Sequence, residues 1–482
     1  MVFLTFVLKW NLTNQLAVIN HFTITVMTKG ELIKKYNMPG PRYTSYPTVP
    51  HWKNNPSQKE WEQEIKKTFQ LSNTAEGISI YIHLPYCESQ CTFCGCNMRV
   101  SRNHKVELPY IQTVLTEWKL YLAAFDEKPI IKEIHLGGGT PTYFSPENLT
   151  ALMNGICENA VIAEGHEFSF EGHPKSTSRE HLQTLYDLGF ERISLGIQDF
   201  DPKVQEIINR IQPFDMVKEV VKNAREIGYK SVNFDLIYGL PLQTMDSVIG
   251  TIELTKKLRP DRIAFYSYAH VPWEAGSQRK FTESDLPKDS EKRALYDKGK
   301  AMFFEMNYSE VGMDHFALPG DPLFKAIDNN TLHRNFMGYT ANSTQLMIGL
   351  GVSAISDSWE CFAQNSKNIG EYKSLVEEGI FPIVKGHILT PTEVNSRQHI
   401  LNLMCHFYTE WNKGEFLETM IQKALPKLEI MEAEGILKLI LGPDENSLEV
   451  TELGKIFVRN ICMLLDPKLD GQVKEKMFSK TI

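Results

Sequence analysis

Six short apolar-alternating stretches constrain this chain more than any other feature: "ISIYIHL" (78–84), "IKEIHLG" (131–137), "EFSFEG" (167–172), "RISLGIQ" (192–198), "SVNFDLIYG" (231–239) and "RIAFYSYAH" (262–270). Between them lie segments such as "PYIQTVLTEWKLYLAAF", "REHLQTLYDLG" and "DMVKEVVKNAREIG", whose apolar residues recur at three and four. That is the period of an amphipathic helix. Strand–helix alternation over some two hundred residues predicts parallel strands joined by right-handed crossovers.

Side chains alternate across a strand, so parity assigns the faces. Ile78, Ile80, Ile82 and Leu84 share one face of the first strand and leave Tyr81 and His83 on the other. Phe168 and Phe170 oppose Glu171; Ile193, Leu195 and Ile197 oppose Ser194, Gly196 and Gln198; Val232, Phe234 and Leu236 oppose Asn233 and Asp235. The apolar face meets the helices, so the polar set points inward. A closed barrel fills its interior with branched apolar side chains. A polar interior predicts instead an incomplete, wider barrel around a ligand, with the chemistry at the C-terminal strand ends. A doubly wound sheet also binds ligands there and stays open as the alternative, though it leaves the polar face unexplained.

The 482 residues suffice for a large core and a further domain. A net charge of −8 excludes a non-specific nucleic-acid binder but not an anionic substrate. The opening apolar run, "MVFLTFVL", is too short to span a membrane, and its first Lys follows the run rather than preceding it as in a signal peptide. Residues 1–26 are expected to be a dispensable or non-native extension. Residues 27–76 then read as an N-terminal arm, 77–310 as the partial barrel, 311–384 as a connecting segment and 385–482 as a mainly helical domain. In the connecting segment "YSEVGMDHFALPGD" reads as a strand and loop, and "LHRNFMGYT" as a loop. The last domain contains a hairpin turning at "PDEN", with helices on either side as in a winged helix, but without basic character.

Four of the eight cysteines fall within ten positions, in "CESQCTFCGC" (87–96). The other four, Cys157, Cys361, Cys405 and Cys462, sit in apolar surroundings and read as small buried hydrophobes. Eight in this length is not a secreted disulfide scaffold, and a reducing cytoplasm fits. Zinc sites usually split their ligands into two separated pairs, whereas Cys-x₃-Cys-x₂-Cys suits three thiolates wrapped around a compact iron–sulfur cubane. "HLGGGTPT" (135–142) ends the second strand with glycines that let backbone approach a ligand. "GLGVSA" (349–354) fits a dinucleotide-binding pattern without the helix it requires.

The cysteine loop after a first strand resembles the radical S-adenosylmethionine (SAM) superfamily. Three protein ligands would leave one iron of a 4Fe–4S cluster open for SAM, and Cys96 is surplus to that set. The wider chain, from "YNMPGPRYTSYPT" through "SLGIQDFDPKVQ", "DLIYGLP", "YAHVP", "GMDHFALP" and "LHRNFMGYT" to "GLGVSAIS", is similar to the oxygen-independent coproporphyrinogen III oxidase family. The resemblance implies Cys87, Cys91 and Cys94 as cluster ligands and Tyr81, Gly138, Glu171, Ala269 and Ile355 as contacts of the cluster-bound SAM. It implies Phe93, Gly139, Thr140, Gln198, Arg210 and Asp235 as contacts of a second SAM. The implied reaction is oxidative decarboxylation of two propionates of coproporphyrinogen III to vinyl groups, giving protoporphyrinogen IX by way of a 5′-deoxyadenosyl radical.

A haem-binding chaperone or another porphyrin-acting member of the superfamily is the alternative. Arg42 and Arg334 are candidate clamps for the substrate carboxylates. "NMRVSRNHK" (97–105) is a basic stretch where an acidic flavodoxin-like electron donor would dock. A monomer is the default assembly. One departure stands out: "EGHPK" keeps Glu171 and Pro174 but carries His173 and Lys175 where the family pattern has Asp and Arg, a change expected to affect local loop pairing.

Overall fold

The computed structural model describes residues 27–272, 276–442, 446–469 and 478–481, so the expectation for residues 1–26 lies outside it. All six expected strands are present: β1 (Ile78–Leu84), β2 (Ile130–Gly138), β3 (Val161–Gly172), β4 (Phe190–Gln198), β5 (Ser231–Tyr238) and β6 (Arg262–Ser267). They pair in chain order, all in parallel. The crossovers carry helices at Glu107–Ala124, Pro146–Cys157, Arg179–Asp187, Phe214–Ile227 and Met245–Leu258. Several begin where the sequence supplies a side-chain cap, as Ser145, Ser178 and Thr244 do for their third helical N–H groups.

The sheet does not stop at β6. The segment after it adds β7 (Ser309–Gly312), β8 (His315–Ala317), β9 (Leu346–Leu350), β10 (Ile355–Asp357), β11 (Cys361–Asn365) and β12 (Ile383–Ile388), giving twelve strands in the order β12-β11-β10-β9-β1-β2-β3-β4-β5-β6-β8-β7. β9 runs parallel to β1, while β10 to β12 and the β7–β8 hairpin are antiparallel additions at the two edges. "LHRNFMGYT", expected as a loop, is a separate hairpin of His333–Asn335 and Gly338–Thr340. Its strands are only three residues long, below what alternation can reveal. "GLGVSA" turns from β9 into antiparallel β10 rather than into a helix.

The parity reading holds. Ile80, Ile82, Phe170, Ile193, Leu195, Phe234 and Leu236 are fully buried in one core with Trp118, Leu152, Leu182 and Ile252 of the helices. Cys361, Cys405 and Cys462 are buried in apolar clusters and Cys157 is half-buried. On the inner face, near the N-terminal strand ends, Arg192 of β4 donates from Nε to Glu167 of β3 at 2.7 Å. Arg262 at the start of β6 donates to Asp321 at 2.7 Å and lies 3.9 Å from the same Glu167. A contact between β3 and β6 passes over two intervening strands, as expected of a sheet that curves inward. Ser79 and Thr340 both donate to Glu133, at 3.1 Å each. This buried polar layer floors the barrel.

A second core joins the N-terminal arm to the C-terminal unit: Leu32, Tyr43 and Tyr46 pack with Leu403, Leu417, Leu428, Phe457 and Ile461. That unit contains helices Pro391–His406, Phe416–Ala433 and Val458–Leu464 and the expected hairpin of Leu437–Leu441 and Asn446–Val450. Residues 443–445 of its turn lie outside the described residues. Tyr408–Trp411 adds a third strand that the sequence did not reveal. Arg459 donates to the carbonyls of Gly40, Pro41, Lys480 and Thr481, closing the two chain ends together.

Removing one partner of a buried, hydrogen-bonded ion pair strands the other charge, typically at about 3–5 kcal/mol. Asp321→Ala, which leaves Arg262 and Ser231 without their shared acceptor, is expected to lower the unfolding free energy by about that amount, read from its urea midpoint.

Candidate active site

The C-terminal ends of β2 to β6 open into one cavity of about 290 Å³ lined by Cys87, Cys91, Cys94 and Cys96 together with Gly138, Thr140, Glu171, Gln198, Arg210 and Asp235. A second cavity of about 270 Å³ adjoins it, lined by Tyr81, His83, His135, Phe336, Ala354 and Ile355. Cys96, Gly138 and Glu171 face both. Side chains from β1, β2, β3 and β10 thus meet around one space and those from β2 to β6 around its neighbour.

The cysteine loop is held on several sides. Thr92 donates from its backbone and hydroxyl to the carbonyls of Ile208 and Ile207, and Asn209 donates to Gln90. Buried Gln278 donates to the carbonyls of Phe93 and Ala269, and Ser277 to that of Cys94. Each expected ligand sulfur has a polar neighbour: Thr140 Oγ1 lies 3.2 Å from Cys87, Arg210 Nη1 donates to Cys91 at 3.5 Å, and the Cys96 N–H donates to Cys94 at 3.4 Å. Burial pushes the Cys87 thiol up to about 11, while hydrogen bonding with Cys96 draws Cys94 down to about 7. Among the described residues no three His, Cys, Asp or Glu side chains converge on one metal ion. Three thiols lining one cavity from a single short loop fit the corners of a cubane cluster better than a zinc ion, whose ligands usually come in two separated pairs.

The glycine turn is shaped by contact. Gly138 has φ +109° with the His83 ring where a Cβ would lie, and Gly139 is pressed against the Pro85 carbonyl. Gly139 and Thr140 donate to the carbonyls of Leu84 and Tyr86, fixing the turn to the strand that leads into the cysteines. Tyr81 stacks on His135 with ring centroids 6.1 Å apart, and His135 Nε2 lies 3.6 Å from Glu171. Arg210 lies over Gly196, whose carbonyl accepts from Nε and Nη2; a Cβ at that glycine would meet the guanidinium at 2.7 Å. Gln198 ends β4 with φ +67° beside it. Asp235 accepts from Ser194 and Asn233 at 2.9 Å each.

Of the expected site residues, Cys87, Phe93, Cys94, Gly138, Gly139, Thr140, Glu171, Gln198, Arg210 and Asp235 come together with Cys91 in the first cavity, and Tyr81 and Ile355 in the second. Ala269 is exposed and lines neither, reaching the site only through Gln278. Gln278, His83, His135 and Tyr266 escaped the sequence reading. Parity turned His83 inward without giving it a role, and the same alternation, not applied to "IKEIHLG", would have turned His135 inward; Gln278 had no signal. His173 and Lys175 do more than pair locally. Both line the first cavity, and Lys175 lies 3.8 Å from Glu88 in the cysteine loop. Burial, with Arg210 and Lys175 nearby, pushes His173 down to about 2, so it is neutral.

Residues 81–255 match the radical SAM superfamily. An oxygen-independent coproporphyrinogen III oxidase from Helicobacter pylori (strain J99) is 38% identical over 458 residues, covering 94% of this chain and 99% of that protein. One from Escherichia coli K12 is 34% identical, covering 94% and 98%. This chain belongs to that family. The solved structure of coproporphyrinogen III oxidase from Escherichia coli, described as a radical SAM enzyme, superposes with a TM-score of 0.81 at 32% identity, covering 91% of this chain and 98% of that one. Membership makes the chain a radical SAM oxidoreductase and implies a 4Fe–4S cluster and SAM. No helix among the described residues is long and apolar enough to cross a membrane.

Burial and Glu171 push Asp235 up to about 6 from its ordinary 3.8. The folded chain therefore binds this proton more tightly than the unfolded one, and stability falls as pH rises through that window. Ligand-free Asp235→Asn is expected to melt above the parent near pH 7.5, with the gap closing towards pH 4, as read by thermal unfolding at both pH values.

Proposed function

We propose that this chain carries out the anaerobic oxidative decarboxylation of two propionates of coproporphyrinogen III to vinyl groups, giving protoporphyrinogen IX in haem biosynthesis. Supporting this reading is one observation above all: three thiols ring a polar cavity that joins a second one, within a chain collinear with named coproporphyrinogen III oxidases over nearly its whole length. When bound, the cluster, reduced by one external electron, and SAM would supply a 5′-deoxyadenosyl radical to take a hydrogen atom from a propionate β-carbon; loss of carbon dioxide, and of one electron to an external electron acceptor, would then leave the vinyl group.

The chain's own groups bind, orient and shield. Gly138 and Gly139 bring backbone close to the ligand, Glu171 offers a carboxylate to an ammonium, and Tyr81 an aromatic face. Arg210 is suited to a carboxylate, and Asp235 to a ribose hydroxyl or a sulfonium charge. With Phe93, Thr140 and Gln198 they give the first cavity the groups for a second SAM. A primary carbon radical attacks nearby C–H bonds, so the closed site matters more than any general base. The reductant in this proposal is an acidic flavodoxin-like protein facing the stretch 97–105, where Arg99, Arg102 and Lys105 form no ion pair among the described residues. The working unit is a cytoplasmic monomer; the expected divisions at 311 and 385 fall inside β7 and β12, so the segment between them belongs to the sheet rather than to a separate unit.

Anoxic incubation with SAM, a reductant and coproporphyrinogen III is expected to yield protoporphyrinogen IX by mass, with one deoxyadenosine per vinyl group formed. Cys91→Ala is expected to lose the brown colour, the iron and the product together. Wild-type protein that binds haem stoichiometrically and forms no vinyl product would count for a carrier instead.

A further inference from the structure

Arg334 stands in the short hairpin between β8 and β9 and is only 8% exposed. Its guanidinium lies over the Tyr339 ring at 4.4 Å, yet Nε and Nη1 have no hydrogen-bond partner among the described residues. A buried guanidinium left without acceptors is costly, by several kcal/mol for a charge taken fully from water. Buried polar atoms in a folded chain are nearly always partnered, and exceptions need a reason.

The surroundings supply no answer to this charge. Tyr339 packs edge-on to His315, and His315 Nε2 lies 3.2 Å from the hydroxyl of Tyr266, which lines the cysteine cavity. Phe336 and Met337, two and three residues after Arg334, line the adjoining cavity beside Tyr81 and Glu171. Arg334's charge acts on the Asp314 carboxylate, and that carboxylate faces Arg42 at 3.7 Å. Arg42, Arg334 and Arg459 all act on this one buried carboxylate, an excess of positive charge beside a pocket. Arg459 is different: its donors are taken by backbone carbonyls of the chain ends.

We propose that Arg334 is the carboxylate anchor of the substrate pocket, its unpartnered Nε–H and Nη1–H groups available to a propionate of the tetrapyrrole. This rests on the function proposed above. A planar, always-charged guanidinium holds its N–H donors in fixed directions, which a lysine ammonium does not reproduce. Tyr339 holds the group in place through its ring. Both atoms are covered and Arg334 itself lines neither cavity, so the 333–340 hairpin has to shift against its neighbours for the substrate to bring the missing acceptor. Arg42, with Asp314 before it, ties the N-terminal arm to the β7–β8 hairpin.

The test is anoxic equilibrium dialysis of cluster-loaded full-length protein against coproporphyrinogen III, quantified after oxidation to the fluorescent porphyrin, with SAM retention and thermal midpoint measured in parallel. Arg334→Gln is expected to weaken substrate binding roughly ten- to a hundredfold, to leave SAM retention unchanged, and to melt no lower than the parent when free of substrate. Arg334→Lys is expected to fall between. Unaltered substrate affinity in Arg334→Gln overturns the assignment and leaves the proposed function standing. So does a loss of SAM retention, or a fall in midpoint with both variants equally weakened, which marks a packing role. Failure of the parent itself to bind coproporphyrinogen overturns the function and this inference together.

Discussion

A parallel sheet that buries apolar side chains against helices on one face must still provide for the other, and here the second face is polar along several strands. Glu133, Glu167, Arg192, Arg262 and Asp321 are charged groups turned away from water. Curvature lets them answer one another across the interior rather than within a single strand pair, as Glu167 does with residues of both β4 and β6. The polar floor is satisfied internally. The upper layer differs in facing space: Glu171 and Gln198 line the cavity beside Asp235 and Arg210, which are partnered by Ser194, Asn233, Gly196 and Cys91 yet still border it. That contrast between the two ends of one interior separates scaffold from site.

The cysteine loop depends on the same arrangement. The loop carrying Cys87, Cys91 and Cys94 gains nothing from its own sequence propensity, and it is fixed from outside by Thr92 on 207–208, Asn209 on Gln90, and Gln278 on Phe93. Arg210 links the two systems, donating to the Gly196 carbonyl of β4 and to the Cys91 sulfur. Moving β4 would move the loop that carries Cys91.

The barrel was legible because alternation and helical period are both long-range patterns: six strands of six or more residues, each with its crossover helix, leave few other topologies. Parity placed Tyr81, Glu171, Gln198 and Asp235 on the inner face before any coordinate was known. What was not legible is what comes from short pieces. The hairpins 309–317 and 333–340 have strands of three or four residues, and nothing in their sequence says that they extend or flank the sheet. Gln278 sits in a one-turn segment whose only signal is its contacts. Ala269 came from family resemblance alone, and the structure gives it a backbone role.

Those short pieces are also where the pocket acquires its sides. β10 brings Ile355 beside Tyr81, the 333–340 hairpin brings Phe336 and Met337 to the same space, and β8 brings His315 against Tyr266. None of them belongs to the strand–helix series, and each is tied to a different partner: β10 to β9 and β11, the hairpin to Glu133 through Thr340, β8 to β6. On the function proposed above, the site has to exclude water without being sealed against a large tetrapyrrole. A regular barrel alone offers an open mouth; short hairpins docked at its rim can narrow it while the parallel strands keep the reacting groups in register.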